Sequence, residues 1–245
     1  MREDRLGSRF VVGLLSVAGA ALVAAFVLAP AALLGSEADL SGAVRRALVQ
    51  FRQSGRPQLP ARLENLVDYW FEWHAIKVVI TSFMLVTFGL LTAALWRRYR
   101  HGAAGYAVAA AGASVLTGLA AALLILNIQA TAVPLVALLP LASGDAAEKL
   151  LGPAGSPALT VLVGEVERYY WVLAGVAGPA LAVAVLISVL LWRRRVTDDA
   201  RVLVARRATS VVAGISASVL LLVVAFSIFS ALEPADALRG LLGVS

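Results

Sequence analysis

Long uncharged runs alternate with short charged ones along this chain. Five runs, at about 10–29, 76–96, 104–126, 170–192 and 208–231, contain no Asp, Glu, Arg, His or Lys apart from Lys77 at the edge of the second. Each is close to or above the roughly 20 helical residues that cross a hydrocarbon core of about 30 Å. The pattern predicts an all-α fold: a polytopic transmembrane helical bundle of five spans, forming one integral membrane domain over residues 1–245. The segments at about 30–68 and 130–169 are then extracytoplasmic loops carrying short amphipathic helices.

The arginines orient this bundle. They cluster at Arg2, Arg5 and Arg9, at Arg97, Arg98 and Arg100, and at Arg193, Arg194, Arg195, Arg201, Arg206 and Arg207, so that every second junction carries a cluster. This is the asymmetry of cytoplasmic loops. It places the N-terminus inside, the C-terminus outside and the chain in the cytoplasmic membrane. Trp96 and Trp192 directly precede Arg97 and Arg193, and an interfacial ring followed by cations pins a helix end at the membrane surface.

Composition agrees with this reading. The hydrophobic fraction is 60% and the mean hydropathy +0.86, above the roughly 45–50% apolar content of soluble domains. A pI near 10.3 raises nucleic-acid binding as a possibility, and the distribution of charge argues against it. The formal net charge is +6, and the excess of positive charge sits in the arginine clusters, beside the anionic inner leaflet. The lipid bilayer, not nucleic acid, is the expected partner. There is no cysteine, which removes disulfides, Cys-ligated metals and thiol catalysis. The predominance of Ala, Leu, Val and Gly, with Arg far more frequent than Lys, looks like the codon bias of a high-GC bacterium.

The flanking segments have their own grammar. Ala29-Pro30-Ala31 after the first run admits a signal-peptide reading. The apolar run is too long for one, and proline between the alanines disfavours cleavage, so an uncleaved first helix is expected. The first loop reads as an amphipathic helix over 37–52, broken by Gly55, Pro57 and Pro60. A second helix then starts near Pro60 and runs into the second span without interruption. Ala130 to Ser143, with Pro134 and Pro140, is expected to be a broken helix lying in the outer interface. Gly175, Gly178 and Pro179 are expected to interrupt the fourth span.

Spans one, three and five share Ala- and Pro-containing exits, VLAPAALLG, TAVPLVALLP and SALEPADALRGLLG. Spans two and four both start from aromatics and end at Trp-Arg-Arg. This suggests a duplicated two-helix unit behind one extra helix, although prolines at helix exits and belt aromatics also arise without duplication. Small residues four apart, Ser210, Gly214 and Ser218 in the fifth span and Gly105, Ala109 and Ala113 in the third, are candidates for close helix packing. The partner would be another span, another membrane subunit or a second copy.

Candidate chemistry is concentrated in LENLVDYWFEWHAIK. On one helix Glu64, Asp68 and Glu72 share a face, while His74 and Lys77 neighbour each other on a different one. A catalytic reading makes His74 an acid–base group beside Asp68, Glu72 and Lys77. The plainer reading is a solvated helix face neutralised by Arg45, Arg46 or Arg52. His101 lies on the opposite side of the membrane from His74, so the two cannot share a metal. No cofactor-binding motif is present.

The stretch from Asp68 to Arg100 resembles uncharacterised multi-pass membrane proteins of high-GC Gram-positive bacteria. The resemblance covers about one span and implies no activity or site. The expected role is a non-enzymatic accessory or structural membrane subunit. The alternatives are a small transporter component with its path near Gly178-Pro179, or a membrane enzyme using His74.

Overall fold

The computed structural model describes residues 2–36, 38–101, 105–142, 151, 156–193 and 200–244. All regular structure among them is helical. The long helices are α1 (Arg2–Leu34), α3 (Ala61–Arg100), α4 (Tyr106–Ala132), α6 (Pro157–Arg193) and α7 (Ala200–Leu232). Shorter ones are α2 (Leu40–Ser54), α5 (Pro134–Leu138) and α8 (Pro234–Leu242), with a 3₁₀ turn at Leu139–Ala142 directly after α5. The five long helices are long and apolar enough to cross a membrane. Arg194 and Arg195 lie outside the described residues.

Two of the spans extend well past their apolar runs. At about 1.5 Å per residue, the 40 residues of α3 and the 37 of α6 each make rods approaching twice the thickness of a hydrocarbon core. The start of α3 explains its length. Pro60 accepts hydrogen bonds through its carbonyl from the Leu63 and Glu64 N–H groups at 2.8 and 3.0 Å. It stands immediately before the first turn, where a missing N–H costs nothing. From there the helix is unbroken to Arg100.

The chain divides into two compact units. One comprises Met1–Ala29, Lys77–Ile125 and Gly178–Leu222. In it Val12, Leu15, Leu22 and Phe26 of α1 pack on Met84, Phe88, Leu91 and Leu95 of α3, together with Ala110, Ala113 and Ala120 of α4. The α3 stripe advances by alternating steps of four and three, and the α1 stripe by three, seven and four, the spacing of a coiled-coil seam. The α3–α4 pairing adds two polar ties, Thr92 to Thr117 between hydroxyls at 3.0 Å and Trp96 Nε1 donating to Ser114 Oγ at 3.1 Å. Between α6 and α7, Ser188 Oγ donates to the Ser210 carbonyl at 3.4 Å.

The second unit comprises Pro30–Ile76, Leu126–Ala177 and Val223–Ser245. Its centre is a close-packed apolar core of the kind found in soluble domains. Phe51 and Leu48 of α2, Leu63 of α3, Leu138 and Leu139 after α4, and Leu162 of α6 are essentially inaccessible. Leu238 and Leu242 of α8 join them, so the segment after the fifth span belongs to the core. Helix α2 begins where the Asp39 carboxylate accepts from Gly42 N at 3.0 Å and ends at Gly55, whose φ of 63° is left-handed. Its buried face, Ala43, Val44, Ala47, Leu48, Phe51 and Arg52, is the amphipathic stripe expected from the sequence.

Two expectations are overturned. The segment from Ala130 is indeed a broken helix, but Val133, Leu135, Val136, Leu138, Leu139 and Ala142 are all buried in protein and not laid on an interface. The physical reason is that Pro-Leu-Val-Ala-Leu-Leu-Pro-Leu-Ala has no polar face to turn toward headgroups or water. The fourth span is not interrupted either. Helix α6 continues through Pro179, and a side-chain carbon on Gly175 or Gly178 would meet nothing within 4 Å. One proline removes a single hydrogen bond, the one to the Gly175 carbonyl, and the helix holds on either side. Likewise Ala29-Pro30-Ala31 lies inside α1.

Candidate functional site

The acidic ladder sits on the first three turns of α3, in the second unit. Leu63 and Leu66 of that helix turn into the core, which forces Glu64, Asp68 and Glu72 outward, and all three are exposed. Two of the three arginines expected to neutralise them make bonds elsewhere. Arg46 pairs with Asp39 at 3.1 Å. Arg52, only 8% exposed, donates to Ser156 Oγ and to the Leu151 carbonyl at 3.1 Å. Ser156 in turn starts α6, its carbonyl accepting from Leu159 and Thr160 N–H at 3.0 and 3.1 Å. Arg52 therefore ties α2 to the head of α6, a role not visible in the sequence.

His74 is half-buried. Its Nδ1 lies 2.9 Å from the Trp70 carbonyl, a contact that requires Nδ1 to carry the proton, since a carbonyl only accepts. The ring also packs on the Trp70 indole with centroids 4.6 Å apart. The histidine is thus held by its own helix. Asp68 and Glu72 are exposed on the same helix, and His74 is directed to Trp70. Lys77, in the other unit, places Nζ 4.8 Å from the centre of the Phe26 ring on α1, a cation–π arrangement. Among the described residues no group of three His, Asp or Glu side chains could hold a metal ion.

A second set of polar groups is buried rather than exposed. Gln129, 1% exposed, donates from Nε2 to the Tyr169 carbonyl at 3.3 Å, joining α4 to α6. Tyr170 meets the Phe226 ring edge-on at 5.8 Å, joining α6 to α7, and Ser230 of α7 is buried in the same unit. Asn127 and Ser227 are buried as well, and Ser227 Oγ donates to the Val223 carbonyl at 2.6 Å. Trp70 Nε1 is buried with no hydrogen-bond partner among the described residues. Gln129, a polar side chain at the end of an apolar span, is the kind of residue whose interhelical role can be read from sequence. Tyr170 is not, because a tyrosine at a span entrance reads as a belt residue.

The small-residue positions are spread over several surroundings. Ser210 is buried, Gly214 lies against Ser188 of α6, and Ser218 is exposed with its hydroxyl turned back on the Gly214 carbonyl at 3.1 Å. On α4, Ala113 is buried against α3, while Gly105 and Ala109 are exposed. Of the arginine-side residues, Arg98 donates to Tyr106 OH at 2.6 Å. Arg97, Arg100 and Arg193 are exposed, and Trp192 is exposed where Trp96 is half-buried. No protein-family model matches the chain, and neither a curated protein nor a solved structure is similar to it.

Proposed function

We propose that this membrane protein is a non-enzymatic accessory or structural subunit of the cell membrane, with its arginine-bearing helix ends in the cytoplasm and its apolar-cored cap outside. The observation that carries the reading is the α3 acid ladder. Glu64, Asp68 and Glu72 stand exposed on a helix whose other face is fixed in a closed core. Like charges one turn apart repel by a few tenths of a kcal/mol per pair, a cost that a cationic partner surface would reverse. A rigid, outward-facing carboxylate row suits docking of another polypeptide better than it suits bond-breaking chemistry, because His74 is turned to Trp70.

Gentle solubilisation followed by affinity purification tests this. The intact chain is expected to retain a defined second polypeptide, and Glu64→Gln/Asp68→Asn/Glu72→Gln is expected to lose it at unchanged thermal stability. Equal retention by both proteins, or a lone monomer from both, overturns the proposal.

A further inference from the structure

Two places in the second unit repeat one another at a separation of 100 residues. Helix α4 ends at Ala132 and α7 at Leu232. One non-helical residue follows each, Val133 at φ −138°, ψ 69° and Glu233 at φ −122°, ψ 61°. Then Pro134 and Pro234 each open a short helix. The hydrogen bonds match as well. Val133 N–H donates to the Gln129 carbonyl and Glu233 N–H to the Phe229 carbonyl, both at 3.1 Å; Ala137 and Ala237 N–H donate to the carbonyls of residues 133 and 233.

Burial repeats at some of these positions. Asn127 and Ser227, Ala130 and Ser230, Leu138 and Leu238, and Ala142 and Leu242 are all buried, whereas Gln129, Val133, Leu135, Val136 and Leu139 are buried and their counterparts at 229, 233, 235, 236 and 239 are exposed. A proline after a helix is common by itself; here it comes with the same break, the same bonds and four shared buried positions.

The preceding helices extend the match. Both α3 and α6 carry Trp-Arg near their ends, Trp96-Arg97 and Trp192-Arg193, 96 residues apart. At that spacing of 96, Thr92 corresponds to Ser188 and Ser114 to Ser210. These are residues that tie α3 to α4 and α6 to α7. The change from 96 to 100 is four residues, about one helical turn, which rotates the packed face by about 40°.

We infer that residues 61–142 and 157–242 are two copies of one helical unit, and that the cap core is a pseudo-twofold interface in which the copies meet through the same surface. Helix α8 packs on the 3₁₀ turn after α5, so the equivalent ends of the two copies touch, as a self-complementary interface requires. Helices α1 and α2 stand outside the repeat. The acids Glu64, Asp68 and Glu72 have no acidic counterparts in the second copy at either spacing, so they mark where the copies have diverged. The inference does not depend on what the protein binds.

Exchange of counterparts tests it in the full chain. Leu242→Ala alone opens a cavity and Ala142→Leu alone overpacks, and each is expected to lower Tm in detergent by on the order of 5–10 °C. The double variant restores the pair with the copies swapped and is expected to recover at least half of the summed loss. Asn127→Ser combined with Ser227→Asn should behave the same way relative to its single variants. Recovery in both exchanges supports the repeat. Losses that simply add in either exchange, as they do for independent sites, overturn it.

Discussion

Phe88 fills the space left by the absent side chain of Gly19. A carbon added to Gly19 would lie 2.6 Å from Phe88 Cε1, so glycine is the residue that lets α1 sit in the α3 seam. Without a hydrophobic drive between helices in lipid, such packing is what holds a peripheral span. Gly19→Val is therefore expected to destabilise the α1–α3 pairing by about 1–3 kcal/mol. Adding Phe88→Ala to Gly19→Val should recover part of that loss, although Phe88→Ala alone costs about 3–5 kcal/mol. Thermal melts of the four proteins check this, and additive losses would show that the two residues do not share the space.

The start of α2 rests on one carboxylate. Asp39 accepts from Gly42 N and pairs with Arg46, and a side-chain carbon on Gly42 would collide with it. Asp39→Ala is expected to cost about 0.5–2 kcal/mol through the lost cap. Gly42→Ala should cost a similar amount by displacing the same carboxylate, and less in the Asp39→Ala background. Hydrogen exchange at the first turn of α2 should rise in each single variant.

Arg52 offers a test of the join between α2 and α6. Its buried guanidinium donates to Ser156 and Leu151, and bonds from a charged donor contribute about 1.5–3 kcal/mol each. Arg52→Met keeps the apolar stem and removes the donors. Its Tm is expected to fall clearly, with increased proteolysis around residues 151–156. Arg45→Met, at an exposed neighbour, is expected to change stability by less than about 0.5 kcal/mol.

Orientation follows from the arginines and is checked separately. Reporter fusions after Arg100 and after Glu148 are expected to report opposite compartments. Replacing Arg97, Arg98 and Arg100 with Gln should lower the fraction of chains with that orientation, because these cations bias which loop stays inside. Identical signals from both fusions would show that the spans do not alternate as expected.

Much of this protein was legible from one-dimensional pattern. Membrane-spanning helices need only length and continuous apolarity, and both are local properties of the sequence. The unbroken run from Pro60 into the second span was equally readable, since no residue between Ala61 and Arg100 breaks a helix. The acids Glu64, Asp68 and Glu72 could be assigned to one face by periodicity alone. Which partners the surrounding cations find is a different matter, since Arg46 reaches Asp39 and Arg52 reaches Ser156 and Leu151.

What only the tertiary structure decided is where apolar and polar groups go when several helices compete for one interior. Residues 133–142 are apolar on all sides, so local pattern cannot distinguish an interface from a protein core; the presence of α2, α6 and α8 around them placed them in the core. Pro179 warned of a break that the hydrogen bonds on either side prevented. Arg52 carries the charge of a surface residue and is nevertheless buried, because the groups it binds arrive from about a hundred residues away. The sequence by itself determined which segments are helices and which of them are apolar enough for lipid, because both follow from neighbours along the chain. The core and the buried polar ties depend on distant residues meeting, and that is settled only by packing.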